Sequence, residues 1–198
     1  MAEIYVVRHG AKETREEDSP LNAVGIKQVE ATAKYLENRD ISSIHSSPLK
    51  RAQHTSELIA VRLGLPVTAD SRLRERLVWG DRKGETYDEF IEEWRKTSAD
   101  RYYQPSYGDS SFTSGNRVKQ VVEEAGETNN GATLLITHSG VIGDFLRTVF
   151  PDELLPFYIE PVAKVRMVEV LYSSVTVVEV NTGTYALKRV NDTSHLLV

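Results

Sequence analysis

Two apolar runs, one at the start of the chain and one two-thirds of the way along it, each stop on a histidine with glycine close behind. Ile4-Tyr5-Val6-Val7 leads into Arg8-His9-Gly10, and Ala132 to Thr137 leads into His138-Ser139-Gly140. The second run is apolar throughout, as expected of a central strand covered on both faces, and the first is β-branched and aromatic. Strands of that kind require helices above and below them. Residues at their carboxyl ends lie on the edge where open α/β sheets collect ligands. Gly10 lets the backbone turn sharply or approach a ligand closely.

The segments between the runs supply those helices. Asn22 caps a helix over about 22–38, with Ile26, Val29, Ala33 and Leu36 on one face. Ile41 to His45 reads as a second strand, ended by Ser46-Ser47-Pro48. A helix from Leu49 to Leu63 is terminated by Gly64, and Pro66 to Ala69 forms a short third strand. Further on, Val118, Val121, Val122 and Ala125 mark a helix from Asn116 to near Gly126, followed by a turn at Asn129-Asn130-Gly131. Val141 to Val149 forms another helix, stopped by Pro151. Val175 to Val180 and Tyr185 to Val190 form a closing hairpin, an antiparallel edge on a mixed sheet. Pro156 and Pro161 argue against one long element in 152–172, to which no structure is assigned. The stretch 11–20, with Glu16 to Pro20, reads as an exposed loop.

Residues 70–114 break this rhythm. They hold eight of the sixteen aromatic residues, and Thr86 and Glu89 have the spacing of a capping box for a helix through Phe90, Ile91 and Trp94. The stretch is read as a partly helical cap over the strand-end site, with the aromatic side chains forming the cap's own small core.

At 198 residues one domain over 1–198 is expected, with this cap as an insertion. A net charge of -5 speaks against a nucleic-acid partner, which needs a basic excess. The absence of cysteine excludes disulfides, thiolate metal sites and a cysteine nucleophile. The first residues lack the signature of a signal peptide, and no apolar run approaches the roughly 20 residues that span a bilayer, so a cytoplasmic protein with no membrane partner is expected.

A shared sheet would bring His9 and His138 to one rim, and Arg51 in the first turn of the second helix can point toward it. Arg8, Arg51 and two histidines around one point suit a phosphoryl group, because guanidinium forks match phosphate oxygens and no metal need supply the positive charge. A neutral imidazole is a competent nucleophile near pH 7. An acid for the leaving oxygen is offered by Glu75, with Asp81, Glu85 and Asp88 close by in sequence as competitors. His45, His54 and His195 are read as structural or surface residues, with a rim role the alternative for His54, three residues after Arg51; Lys12 and Arg82 are read as solvated charges, with contact to an anionic substrate the alternative.

Four motifs, Arg8-His9-Gly10, Ser47-Pro48-Leu49-Lys50-Arg51-Ala52 with Thr55, Leu73-Arg74-Glu75-Arg76 and Thr137-His138-Ser139-Gly140, resemble in kind and order those of the histidine phosphatase superfamily, the phosphoglycerate mutase-like family. The resemblance implies a three-layer α/β/α sandwich with a mostly parallel mixed sheet. It also implies a phosphohistidine intermediate formed without metal or other cofactor, on a small phosphorylated metabolite. His9 matches the nucleophile and Glu75 the acid. Arg8 and Arg51 match the phosphate-binding arginines, with His138 and Ser139 in the same pocket. After Gly10 the chain departs from the family pattern with Ala11-Lys12-Glu13-Thr14. That short loop and the end of the chain soon after its last strand favour a phosphatase over a phosphoglycerate mutase. A phosphohistidine-protein phosphatase or a non-catalytic phosphate-binding module are the remaining alternatives.

Overall fold

The computed structural model describes residues 1–13, 18–128 and 131–196. Its strands are β1 (Ala2–Arg8), β2 (Ile41–Ser46), β3 (Val67–Ala69), β4 (Ala132–Thr137), β5 (Phe157–Glu160), β6 (Val165–Val168), β7 (Val175–Asn181) and β8 (Thr184–Asp192). The helices are α1 (Ala23–Leu36), α2 (Lys50–Leu63), α3 (Tyr87–Ala99), α4 (Ser111–Gly126) and α5 (Ser139–Val149). Six strands form one sheet in the order β3-β2-β4-β1-β7-β8. The first four are parallel, and β7 and β8 run antiparallel to their neighbours as the expected edge hairpin.

Side-chain alternation along the central strands divides the core in two. Ile4, Val6 and Leu135 face α4 and α5, where Val118, Val122, Ile142 and Phe145 cover them. Tyr5, Val7, Leu134 and Ile136 face α1 and α2, against Val29, Leu36, Ala52 and Ile59. Each such aliphatic side chain taken out of water stabilises the fold by roughly 1.5–3 kcal/mol, so both apolar faces of the sheet are covered. The result is the three-layer α/β/α arrangement. Among the described residues no helix is long and apolar enough to cross a membrane.

Local signals hold at most boundaries. Asn22 accepts from the Gly25 N–H at the start of α1, Thr86 and Glu89 form the capping box of α3, and Gly64 ends α2 in the left-handed region. Two expectations are corrected, and the unassigned stretch, where the prolines argue against one long element, holds two short strands. Helix α4 begins at Ser111, not Asn116, because its first turn is buried through hydroxyl groups: Ser111 and Ser114 donate to the Asp144 carboxylate of α5. Such polar burial is invisible to apolar periodicity. The unassigned stretch 152–172 contains a separate two-stranded hairpin, β5 with β6, whose flanking Pro156 and Pro161 fall outside the strands. In the loop expected to be exposed, Ser19 is buried and Asp18 accepts from the Lys50 N–H, capping a helix whose own N-cap position, Leu49, has no side-chain acceptor. Residues 14–17 of that loop, and Asn129 and Asn130 of the expected turn, lie outside the described residues.

Helix α3 and the β5–β6 hairpin pack together, with Ile91 and Trp94 against Ala163, Val165 and Met167. The cap over the sheet edge is therefore built from two distant stretches, only one of which falls in residues 70–114.

Candidate active site

Strand register brings the strand-end residues of the motifs together. In the parallel pairing Arg8 of β1 lies opposite Thr137 of β4, and Ser46 of β2 lies opposite Ile136. The residues that follow, His9, His138 and Ser47, must then emerge side by side. The His9 N–H donates to the Thr137 carbonyl (3.0 Å) and the Ser47 N–H to the Ile136 carbonyl (2.9 Å), continuing the ladder to the rim. The next turn of chain packs onto α1. A Cβ on Gly10 would lie 2.7 Å from the Gly25 carbonyl oxygen and 2.9 Å from Val29 Cγ2, so this glycine serves close packing against a helix.

His9 is only 4% exposed and His138 only 1%, with ring centroids 5.1 Å apart. His9 Nδ1 is 2.7 Å from the Gly10 carbonyl, which can only accept, so Nδ1 carries the proton and Nε2 presents its lone pair. The Nε–H of Arg51 lies 3.2 Å from His9 Nε2 and 3.2 Å from His138 Nδ1, so one donor serves both rings. His138 Nε2 then donates to Ser47 Oγ at 2.8 Å. Burial first, then the positive charges of Arg51 and Arg8, hold His9 well below the ordinary imidazole value. His138 is held well below it by burial and Arg51. Both rings are therefore neutral at neutral pH.

Arg51 is itself buried and lies 3.5 Å from the Asp18 carboxylate. Arg8, at the end of β1, donates to the Val170 carbonyl (2.6 Å), and its guanidinium stands 3.8 Å over the ring of Tyr172. That ring is placed by the N–H of Ser173, which donates to the Arg8 carbonyl at 3.1 Å. Burial lowers the values of both arginines, but from so high a starting point that each stays cationic.

Glu75 reaches the rim from the segment after β3, 7% exposed. Its carboxylate accepts from the Gly140 N–H (3.0 Å) and the Val141 N–H (3.1 Å) in the first turn of α5, and from the Arg76 N–H (2.9 Å). A helix N-terminus favours negative charge there. This approach needs a bare Gly140, since a Cβ at that position would collide with the Glu75 carboxylate and stand 2.7 Å from Trp94. Of the three competing acids, Asp81 is engaged with Arg74 (2.7 Å) and Glu85 with Tyr107 (2.8 and 2.7 Å), and Asp88 is exposed and does not line the cavity over the site.

A cavity of about 290 Å³ opens over this group, lined by Arg8, His9, Arg51, Glu75 and Ser139 at its floor. All six residues expected at the site are thus gathered, with His138 the most enclosed. His45, His54 and His195 stand apart: His195 is buried against Tyr35 and bonded to Thr32, and His54 accepts from the Leu21 N–H. Arg82 pairs with Glu85, while Lys12 lines the cavity. Contrary to expectation, aromatic side chains of the cap are not merely its core: Trp79, Tyr87, Phe90 and Trp94 line the cavity, joined by Tyr158 and Met167 from the hairpin. Among the described residues no cluster of His, Asp and Glu could hold a metal ion. Tyr172, Asp18 and the hairpin residues carry no local sequence signal of their place in the site.

A family model described as the histidine phosphatase superfamily (branch 1) matches residues 4–193. A probable phosphoglycerate mutase, GpmB, of Yersinia pestis is 32% identical over 162 residues, 75% of each chain. Among solved structures, YhfR of Bacillus stearothermophilus is 26% identical with a TM-score of 0.77, covering 99% of this chain and all of its own. A mycobacterial glucosyl-3-phosphoglycerate phosphatase shares the fold at 24% identity and a TM-score of 0.73, over 96% of this chain and 99% of that one. By sequence match over nearly its whole length, and with the fold to accompany it, this chain belongs to the histidine phosphatase superfamily.

Proposed function

We propose that this protein is a phosphatase that hydrolyses phosphomonoesters of small metabolites through a phosphohistidine on His9. The observation that carries the reading is the unprotonated Nε2 of a neutral, buried His9, set beside the guanidinium of Arg51 in a cavity that also holds Arg8 and Glu75. Arg8, Arg51 and Ser139 hold the phosphoryl oxygens, so that the charge spread over them meets fixed cationic and polar donors. The His9 Nε2–phosphorus bond forms as the bond from phosphorus to the alcohol oxygen breaks. Glu75, as the general acid, delivers a proton to that oxygen. Water then attacks phosphorus, the Nε2–phosphorus bond breaks, and the carboxylate of Glu75 takes the water's proton. His138, neutral and hydrogen-bonded through Ser47, positions Arg51.

The resemblance to a probable phosphoglycerate mutase supports a second reading, in which the phosphoryl group returns to a phosphoglycerate. Turnover of p-nitrophenyl phosphate by the intact chain, with acid-labile labelling of the protein that vanishes in His9→Ala, is the expected result. Undiminished turnover in His9→Ala overturns the mechanism. Interconversion of 2- and 3-phosphoglycerate primed by 2,3-bisphosphoglycerate, at a rate exceeding hydrolysis, favours the mutase.

A further inference from the structure

The cavity has two chemically distinct ends. Its floor carries the cations Arg8 and Arg51, while its upper walls are aromatic and aliphatic. Ring contacts run in an unbroken series along the cap, from Trp79 to Tyr87 (centroids 5.0 Å, edge-on), Tyr87 to Phe90 (6.1 Å) and Phe90 to Trp94 (6.1 Å). The series is anchored from below. The guanidinium of Arg76 lies 4.1 Å over the ring of Trp94 and is itself clamped by both carboxylate oxygens of Asp144 at 2.9 Å. Tyr158 and Met167 of the hairpin face the same space.

Charge on these walls points the same way. Above the two arginines the described lining contributes one cation, Lys12, whose Nζ donates to the Glu13 carbonyl, and two carboxylates, Glu13 and Glu160. A leaving alcohol with its own carboxylate or second phosphate meets net negative charge there, whereas a flat uncharged ring meets rings already held in place. Pre-ordered aromatic walls add stacking and area burial without the entropy of ordering loose side chains.

We infer that the aromatic wall is a leaving-group subsite, and that the substrate is a phosphomonoester whose alcohol carries a flat, uncharged ring rather than a second anionic group. The inference rests on the phosphatase reading for its chemistry, but not for its binding geometry.

The test compares 2-phenylethyl phosphate with ethyl phosphate and 3-phosphoglycerate, whose leaving alcohols are alike in type. The expected kcat/KM for the ring-bearing ester exceeds those of the other two on the order of 30-fold, the scale on which a shaped apolar pocket discriminates. Phe90→Ala should lower that value about tenfold and leave ethyl phosphate within about threefold. Equal values for the three esters, or a preference for 3-phosphoglycerate, overturn the subsite. Equal losses on both esters in Phe90→Ala do the same.

Binding gives an independent arm, because the chain's two tryptophans, Trp79 and Trp94, both line the cavity. The non-hydrolysable 2-phenylethylphosphonate should shift their fluorescence and bind at least about tenfold more tightly than ethylphosphonate. If no ester is hydrolysed yet this preference holds, the phosphatase reading fails and the subsite stands. If esters are hydrolysed through His9 yet no preference is seen in either assay, the subsite fails and the phosphatase reading stands.

Discussion

Arg51 donates its Nε–H to Nε2 of His9 over 3.2 Å, an arrangement available only to an unprotonated imidazole nitrogen. The guanidinium thereby reports the state of the ring and helps to enforce it. Burial and the Arg51 charge hold His9 well below the ordinary value, and His138 likewise. In the unfolded chain both titrate near 6.5. Below that pH the unfolded chain binds more protons than the folded one, so stability rises with pH across the window and is fully present above about 6.5. The thermal midpoint is expected to fall as pH is lowered from 7 to 5, and to fall less steeply in His138→Asn. Thermal denaturation across that range checks it; a flat profile contradicts the buried neutral pair.

Glu75 is held by hydrogen bonds from three backbone N–H groups. If it supplies the proton for the leaving oxygen, Glu75→Gln should cost alkyl phosphomonoesters about 10²–10⁴ in kcat/KM, the usual worth of a positioned acid. p-Nitrophenyl phosphate, whose leaving oxygen needs no proton, should lose much less. Steady-state kinetics on the two substrates decides the matter, and equal losses would assign Glu75 a merely structural place.

The pair Arg76–Asp144 is buried on both sides and ties three helices, since Asp144 also accepts from Ser111 and Ser114 and Arg76 also donates to Ser98. Removing one partner leaves an uncompensated charge. Asp144→Ala is expected to destabilise the fold by about 3–5 kcal/mol, measured by urea denaturation. It should also loosen Trp94, whose ring Arg76 supports.

Gly10 faces the Gly25 carbonyl with no room for a methyl group. Gly10→Ala forces the loop after His9 away from α1, with an expected cost of about 1–3 kcal/mol in chemical denaturation. A fall in kcat alongside it would show that His9 depends on this packing. Unchanged stability would mean that the loop yields without cost.

Much of this protein is determined by its sequence through local physics. The apolar run Ala132 to Thr137 reads as a strand buried on both faces because nothing else in a folded chain hides both sides of a strand. Caps at Asn22 and Thr86 and the stop at Gly64 are legible because one side chain, or the lack of one, satisfies or frees the adjacent backbone. The residues gathered at the rim were legible too, as strand ends and as motifs. What tertiary structure alone decided lies in pairings between distant segments: Tyr172 beneath Arg8, Asp18 on α2, the hydroxyls of Ser111 and Ser114 drawn into the core by Asp144, and the β5–β6 hairpin completing the cap. None leaves a periodic apolar trace, because each is held by a polar or aromatic contact whose partner lies far along the chain. The aromatic residues of 70–114 could be counted in the sequence, but whether they faced inward or onto the cavity depended on where the hairpin closed against α3.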